Sequence, residues 1–371
     1  MFKRNLIAVS LAFAALASAQ VSADVVGGGA TLPQGVYQTS GVFPAGFAPY
    51  VGTGSGTGKS AFFSNNGAPF GQPVGSTVHY AGSDSVVSDS ELDGYNAALY
   101  GPLVQTPSAA TSVTVPFNVP GLSSLDLTSQ QLAAVFAGEY TNWNQIPGLN
   151  GPNLPIRVVY RADGSGTTEI FLRHLKAAAP TVITKALDND FVDVITPISG
   201  LHIPASGSGG VVAEVYGAGN EGSIGYVSPD YTEFGDAAKV ARINGKLPTE
   251  AEVQAALATT PPPSGSATED PRNWAPTFAN PSAGYPIVGL TNLIFSQCYQ
   301  DSNDLSSIQT FLAKHYNAVP ANSNDAVISA HKLIPLPPVW KAAVRNNFVS
   351  NVSGNGLDIG NTSVCNAGVG R

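Results

Sequence analysis

Basic residues are scarce in this chain: 17 Lys and Arg stand against 25 Asp and Glu, for a formal net charge of −8. A nucleic-acid partner calls for a basic footprint, so that class is excluded. The same deficit means that no long-range field draws anions in, and salt screens such fields beyond about 8 Å in any case. Any anion site here has to be local and tightly built. Cysteine is nearly absent, with Cys298 and Cys365 the two present. In an oxidising compartment they read as one structural disulfide, tying the run "NLIFSQCY" to the C-terminal tail. On the chain-entropy account such a loop contributes roughly 4 kcal/mol at most. No G-x-S-x-G nucleophile elbow occurs, and no two-metal carboxylate set is visible. His79, His174, His202, His315 and His331 are scattered rather than clustered. These gaps leave hydrolytic chemistry without its usual machinery. Neither a metal nor a cofactor is implied, and no catalytic residue can be assigned. An internal repeat is also missing, which removes the basis for a fibre-forming or adhesive array.

Long apolar runs are missing too, apart from one at the start. Lys3 and Arg4 precede the apolar stretch Leu6–Leu16, and Val21-Ser22-Ala23 fits a secretory cleavage after Ala23. The stretch is shorter than the roughly 20 residues of a spanning helix. With no cysteine near the cut to carry a lipid, residues 1–23 read as a signal peptide. The expected product is a soluble chain from Asp24, periplasmic or secreted. Roughly 350 residues then remain, a length that fits about two domains.

Short apolar runs alternate with helix-period segments, the pattern of an α/β protein. Helices are expected within 123–138, 168–179, 307–316 and 337–349, and strands within 76–83, 112–118, 156–161, 223–228 and 285–295. The Pro/Gly/Ser stretch 259–273 reads as a surface loop. The extended runs 109–117 and 285–295 are candidates for paired strands joining two lobes. That division gives 24–108 plus 288–371 as lobe I and 109–287 as lobe II.

Four segments have the composition of an anion site. In "GGGATLP" (27–33), glycines permit unusual backbone and Pro33 suits a first helical turn. A helix starting near Thr31-Leu32 would present free N–H groups and partial positive charge. The second, "GTGSGTGKSAFF" (52–63), comes close to a nucleotide-binding phosphate loop. The spacing fails by one, because Thr53 stands where that motif needs glycine. Ser55 remains as a hydroxyl before a helix. In "HYAGSDSVVSDSEL" (79–92), Asp84 follows a strand between two serines, and its alternative reading is an ordinary helix N-cap. His79, Asp89 and Glu91 have no metal-ligand spacing. The fourth, "RADGSGTTE" (161–169), places Arg161 at a strand end four residues before Ser165-Gly166-Thr167. If Ser165 is the N-cap, the third helical position is Thr168, so no reciprocal capping box forms. Arg161 adds a planar fork that matches phosphate oxygens.

Taken together, "GGGATLPQ", "AGFAPYVGTGSGTGK", "HYAGSDS", "VVYRADGSGTTE", "LIFSQCY" and "IGNTSVCN" resemble the phosphate-binding proteins of phosphate-specific transport. The resemblance is greater to their secreted DING branch, and within it to the alkaline phosphatase L type. It spans essentially the whole mature chain. Where the branch has its name-giving Asp-Ile-Asn-Gly, this chain has Asp24-Val25-Val26-Gly27. Some members carry a second disulfide, for which this chain lacks the cysteines. The resemblance implies a type II periplasmic-binding-protein fold: two α/β lobes joined by a two-strand hinge, with ligand in the cleft. It further implies that Thr31, Leu32, Ser55, Asp84, Arg161, Ser165, Gly166 and Thr167 hold one phosphate. High-affinity binding of inorganic phosphate is the function expected. The alternative is a secreted phosphomonoesterase or phosphodiesterase acting on phosphate esters in the same cleft. An ABC permease or a secretion system would be the partner.

Overall fold

The computed structural model describes residues 25–196, 201–366 and 368–371. The segment read as a signal peptide lies outside them. Four strands come first: β1 (Gly27–Gly29), β2 (Val51–Gly52), β3 (Tyr80–Ser83) and β4 (Leu103–Ser112). The chain then builds β5 (Phe117–Asn118), β6 (Asp126–Leu127), β7 (Arg157–Arg161), β8 (His202–Ala205), β9 (Ser223–Gly225) and β10 (Arg242–Ile243). It returns through β11 (Val288–Ser296). One sheet has the order β2-β1-β3-β11-β4 and another β5-β9-β7-β8, with β6 and β10 as a separate pair. Within the first, β1, β2 and β3 are parallel, whereas β11 runs antiparallel to both β3 and β4. In the second, β7 pairs in parallel with β8 and β9.

The long β4–β11 ladder is the paired run anticipated near 109–117 and 285–295, but β4 starts earlier and stops at Ser112. Residues beyond it change partners: Thr114 bridges Val227 and Pro116 bridges Val240. The chain therefore leaves the first sheet after Ser112 and re-enters it at Val288.

Helices follow the apolar spacing with shifted ends. The helix expected at 168–179 runs Gly166–Ala178. The one at 307–316 begins at Ser302, because Asp301 caps it by accepting from Asn303 N–H at 2.7 Å. In 337–349 the helix is α over Pro338–Val344 and then widens to a π turn at Arg345–Val349. The helix expected to start near Thr31-Leu32 starts later and is short. The chain turns there, Pro33 is the N-cap, and a five-residue helix spans Gln34–Gln38. No helix among the described residues is long and apolar enough to cross a membrane.

One glycine of the second segment is required by packing. A Cβ on Gly58 would lie 2.4 Å from the Gly29 Cα. The helix Ser55–Phe63 therefore rests directly on the backbone of β1, and its first residue stands beside the β1 and β3 ends. Any side chain at Gly58 would push the helix, and Ser55 with it, away.

The stretch 259–273 lies at the surface, as expected, but it is not irregular throughout. Its second half forms two short helical turns, Gly265–Glu269 and Pro271–Trp274. Trp274 is fully buried, edge-on to Phe348 at 4.6 Å between centroids, and its Nε1 donates to Thr268 O at 2.9 Å. Gln105 on β4 donates to Pro271 O at 2.9 Å. A single buried tryptophan of this size contributes enough apolar contact to hold such a segment down.

Cys298 and Cys365 form the expected disulfide, with Cα atoms 5.3 Å apart. Beyond it the tail is anchored by Arg371, whose guanidinium lies 3.8 Å from the Phe62 ring centroid and 4.3 Å from that of Tyr100. It donates to Phe62 O, Val78 O, Asn65 Oδ1 and Ser296 Oγ. A buried charge with that many acceptors is satisfied rather than costly.

Candidate functional site

Strand β7 ends on Arg161, and the chain enters the helix Gly166–Ala178 five residues later. Ser165 is the N-cap. Its backbone is extended, its Oγ accepts from Thr168 N–H at 3.4 Å, and its own N–H donates to Asn189 O at 2.9 Å. The Gly166 and Thr167 N–H groups belong to the first turn and have no intrahelical partner.

Aromatic packing aims this element. Phe171 stacks on Tyr226 at 4.5 Å and meets Phe136 edge-on at 4.6 Å. The stacked Tyr226 hydroxyl then bonds Thr168 Oγ1 at 2.8 Å and accepts the Arg161 backbone N–H at 3.2 Å. Burial of the helix face thus fixes the register between the strand end and the helix start.

The opposite wall comes from the first sheet. Asp84 follows β3, and its N–H donates to Ser55 Oγ at 3.0 Å. It is not a helix cap. Ser88 caps the next helix, Asp89–Asp93, in a reciprocal box with Glu91. A Cβ on Gly166 would lie 2.5 Å from Asp84 Cβ and 2.9 Å from Ser55 Oγ. These three residues, distant in sequence, therefore touch across the cleft, and only glycine fits.

Asp84 is 5% exposed, and its Oδ1 has no hydrogen-bond partner. Burial pushes its carboxyl up to about 7, while the nearby Thr291 hydroxyl and Arg161 pull in the opposite direction. Thr291 stands close but makes no hydrogen bond of normal geometry, since its own hydroxyl is also unpartnered. Buried polar atoms are nearly always bonded, and Asp84 Oδ1 and Thr291 Oγ1 are two that have no partner in the protein.

Arg161 is 4% exposed and is not a free cation. Its Nε donates to Asp163 Oδ1 at 2.7 Å, its Nη2 to Asp163 Oδ2, and its Nη1 to Ser208 Oγ at 3.4 Å. Asp163 also accepts from Gly207 N–H at 3.0 Å. Burial works to raise the Asp163 carboxyl, but Arg161 and that N–H outweigh it and hold the group below its ordinary value.

A cavity of about 280 Å³ opens between the walls, lined by Thr31, Leu32, Gln34, Arg161, Asp163 and Thr167. Ser206–Gly210, Ser228 and Tyr231 complete it. Of the residues singled out from sequence, Thr31, Leu32, Arg161 and Thr167 line this space. Ser55, Asp84 and Gly166 form the contact between the walls, and Ser165 caps the helix that supplies Thr167. Sequence reasoning missed Asp163, Ser228, Tyr231 and the start of the helix Gly207–Val215. One signal was there to be read: "IPASGSGG" (203–210) repeats the strand, Ser-Gly turn and helix of residues 159–167.

The histidines are tied down separately. His79 lies between Val26 N–H and Asp304, His174 between Ser129 and Ala279 O, and His315 between Ser108 and Asn324. Asp188, Asp190 and Asp193 could bring carboxylate oxygens within 4.8 Å of one another, but exposed acidic neighbours are common without an ion. That cluster supports no metal assignment.

A family model for a PBP superfamily domain matches residues 16–312. Alkaline phosphatase L of Pseudomonas aeruginosa is 48% identical, with 99% of each chain covered. A phosphate-binding protein from an unknown prokaryotic organism is 43% identical over 94% of this chain and all of the other. Among solved structures, a high-affinity periplasmic phosphate-binding protein with phosphate bound superposes with a TM-score of 0.84 at 42% identity. It covers 94% of this chain and 99% of its own. The phosphate-binding protein of Stenotrophomonas maltophilia gives a TM-score of 0.82 at 40% identity, with the same coverage.

Proposed function

The chain belongs to the PBP superfamily, with DING-type phosphate-binding proteins among its relatives, and from this premise we propose that it binds inorganic phosphate with high affinity. The observation that carries the reading is the unpartnered Asp84 Oδ1, buried beside Arg161 and the open first turn of Gly166–Ala178. A dianion gains there from N–H groups and hydroxyls, with Arg161 as the one cationic fork. Asp163 already balances Arg161, so dipoles must carry much of the load. Charge-assisted hydrogen bonds net roughly 1.5–3 kcal/mol each. Several of them reach the roughly −8 kcal/mol of micromolar binding. We assign Thr31, Leu32, Ser55, Asp84, Arg161, Ser165, Gly166 and Thr167 to the phosphate. The lobes expected from sequence, 24–108 with 288–371 and 109–287, shift at one edge, because residues 109–112 still pair with β11 in the first sheet; the strands beside Ser112 and Val288 would be the hinge. Action outside the cytoplasm and delivery to a permease belong to the same proposal.

The direct test is to refold the protein free of phosphate and titrate it by calorimetry, with ester hydrolysis assayed on the same sample. Micromolar or tighter binding without turnover is expected. No heat on adding phosphate would end the reading. Gly166→Ala is a sharp second check. Its Cβ would force Asp84 and Ser55 away from the helix start, so phosphate affinity should fall by about a hundredfold or more, the scale of one lost charged hydrogen bond network. Near-normal affinity would show that the three residues do not share one ligand.

The naming of relatives as alkaline phosphatase L favours one further reading, ester hydrolysis in this cleft. If that activity exists, inorganic phosphate should inhibit it competitively at the concentration that saturates binding. Inhibition that needs far higher phosphate would place the activity elsewhere or in a contaminant.

A further inference from the structure

We propose that Lys332 is a positioning residue for the cleft, setting the spacing between its two walls and thereby the rate at which phosphate leaves. The inference rests on the phosphate reading above. Lys332 Nζ donates to Thr232 O at 2.8 Å, lies 3.4 Å from Glu233 Oε1 and stands 6.0 Å from the Phe234 ring centroid. The segment it grips leads straight out of the cleft wall, where Ser228 and Tyr231 line the cavity.

The lysine itself is anchored to the opposite side. His331, the preceding residue, places Nε2 2.9 Å from Thr39 Oγ1. Its ring fills the space over Gly35, where a Cβ would come within 2.6 Å of Nδ1. These contacts fall on the short helix that follows Thr31 and Leu32 and on its C-cap, Thr39. Two residues later, Ile334 N–H donates to Ala110 O of β4 at 3.0 Å. Residues 331–334 are therefore fastened to the first sheet and to the Thr31 wall, while the Lys332 side chain hydrogen-bonds the segment that follows Ser228 and Tyr231; His331 and Lys332 both face the Asp230 carboxylate there.

The backbone supports a positional role. Among the described residues, four other than glycine have positive φ: Asn65, Asn244, Asn351 and Lys332, the last at 59°. Asparagine tolerates this region and lysine rarely adopts it. Strained backbone of this kind persists where surrounding contacts over-determine it. Here those contacts are His331 on one side and the Thr232 carbonyl on the other. Glu233 is 72% exposed, so the Thr232 carbonyl, not the ion pair, is the firm end of the tie.

The test is the rate of phosphate release, measured by rapid mixing of the loaded protein with a phosphate trap. Lys332→Met keeps the stem and removes the ammonium. Release should quicken about tenfold, while the association rate stays within about twofold, because affinity changes at one interface reside mainly in dissociation. Lys332→Arg should restore slow release. Lys332→Asn relieves the backbone without restoring the donor, so it should release as fast as the Met variant. A Met variant that releases at the wild-type rate overturns the proposal and leaves phosphate binding standing. So does one whose faster release merely tracks a loss of thermal stability in the phosphate-free protein. A wild-type protein that binds no phosphate takes both down together.

Discussion

Arg161→Ala should abolish tight phosphate binding, weakening it between about thirty and several thousandfold, with the fold intact. The range follows from the roughly 2–5 kcal/mol lost when one partner of a buried, hydrogen-bonded charge pair is truncated. The upper part is expected, because the change removes more than one cation. Asp163 loses the partner that holds its carboxyl low, and Asp84 loses its nearest positive charge. Two carboxylates would then face an incoming dianion. The fold should survive, since the Arg161 bond to Tyr226 uses the backbone N–H and the helix Gly166–Ala178 keeps its own cap. Arg161→Lys should fall between, keeping the charge and losing the fork. Calorimetry that finds the Ala variant binding phosphate within a few-fold of wild type would remove Arg161 from the site.

Asp84→Asn should have opposite effects on selectivity and on the stability of the empty protein. Burial holds the Asp84 carboxyl up near 7, against an ordinary value of 3.8. Below about pH 4 the group is protonated in both folded and unfolded chains and costs nothing. As pH rises towards 7 the unfolded chain ionises while the folded one resists, so stability is lost progressively. The loss is complete above pH 7 and amounts to roughly 4 kcal/mol at most. Asn carries no such cost. Phosphate-free Asp84→Asn should therefore gain stability over wild type at pH 8 and show little gain at pH 4. Denaturant unfolding at the two pH values measures this, and an equal difference at both would contradict it.

Selectivity follows from the same proton. Ionised Asp84 can only accept hydrogen bonds, so it suits monohydrogen phosphate and repels sulfate in a dry site. Wild type should ignore sulfate at pH 8 and admit it weakly once the carboxyl is protonated, below pH 7. The Asn variant, with an N–H to offer, should bind sulfate at both. Sulfate competition curves that coincide for the two proteins at pH 8 would take this role from Asp84.

Much of the site was legible because it is built from local pieces. A serine after a strand and before an apolar-periodic run caps a helix wherever it occurs, and Ser165 does so here. Arg161 reaches the cleft because strand ends in such sheets face it. The cysteines had only each other to pair with. These are short-range relations, and the residue order contains them.

What the sequence by itself determined, then, is the chemistry present at each wall: donors at Thr167 and Gly166, a fork at Arg161, a carboxylate at Asp84. Tertiary structure alone decided what those groups become. Gly166 meets Asp84 and Ser55 only after two sheets are assembled, and the Asp84 oxygen is orphaned only when its surroundings close over it. Arg161 lost its status as a free cation when the chain brought Asp163 and the first turn of Gly207–Val215 against it. Trp274, just past the stretch that composition marks as loop, similarly anchors its end in the core. The physical reason is common to all four. Desolvation and long-range pairing depend on which surfaces exclude water together, and that is a property of the assembled fold, not of any window of residues.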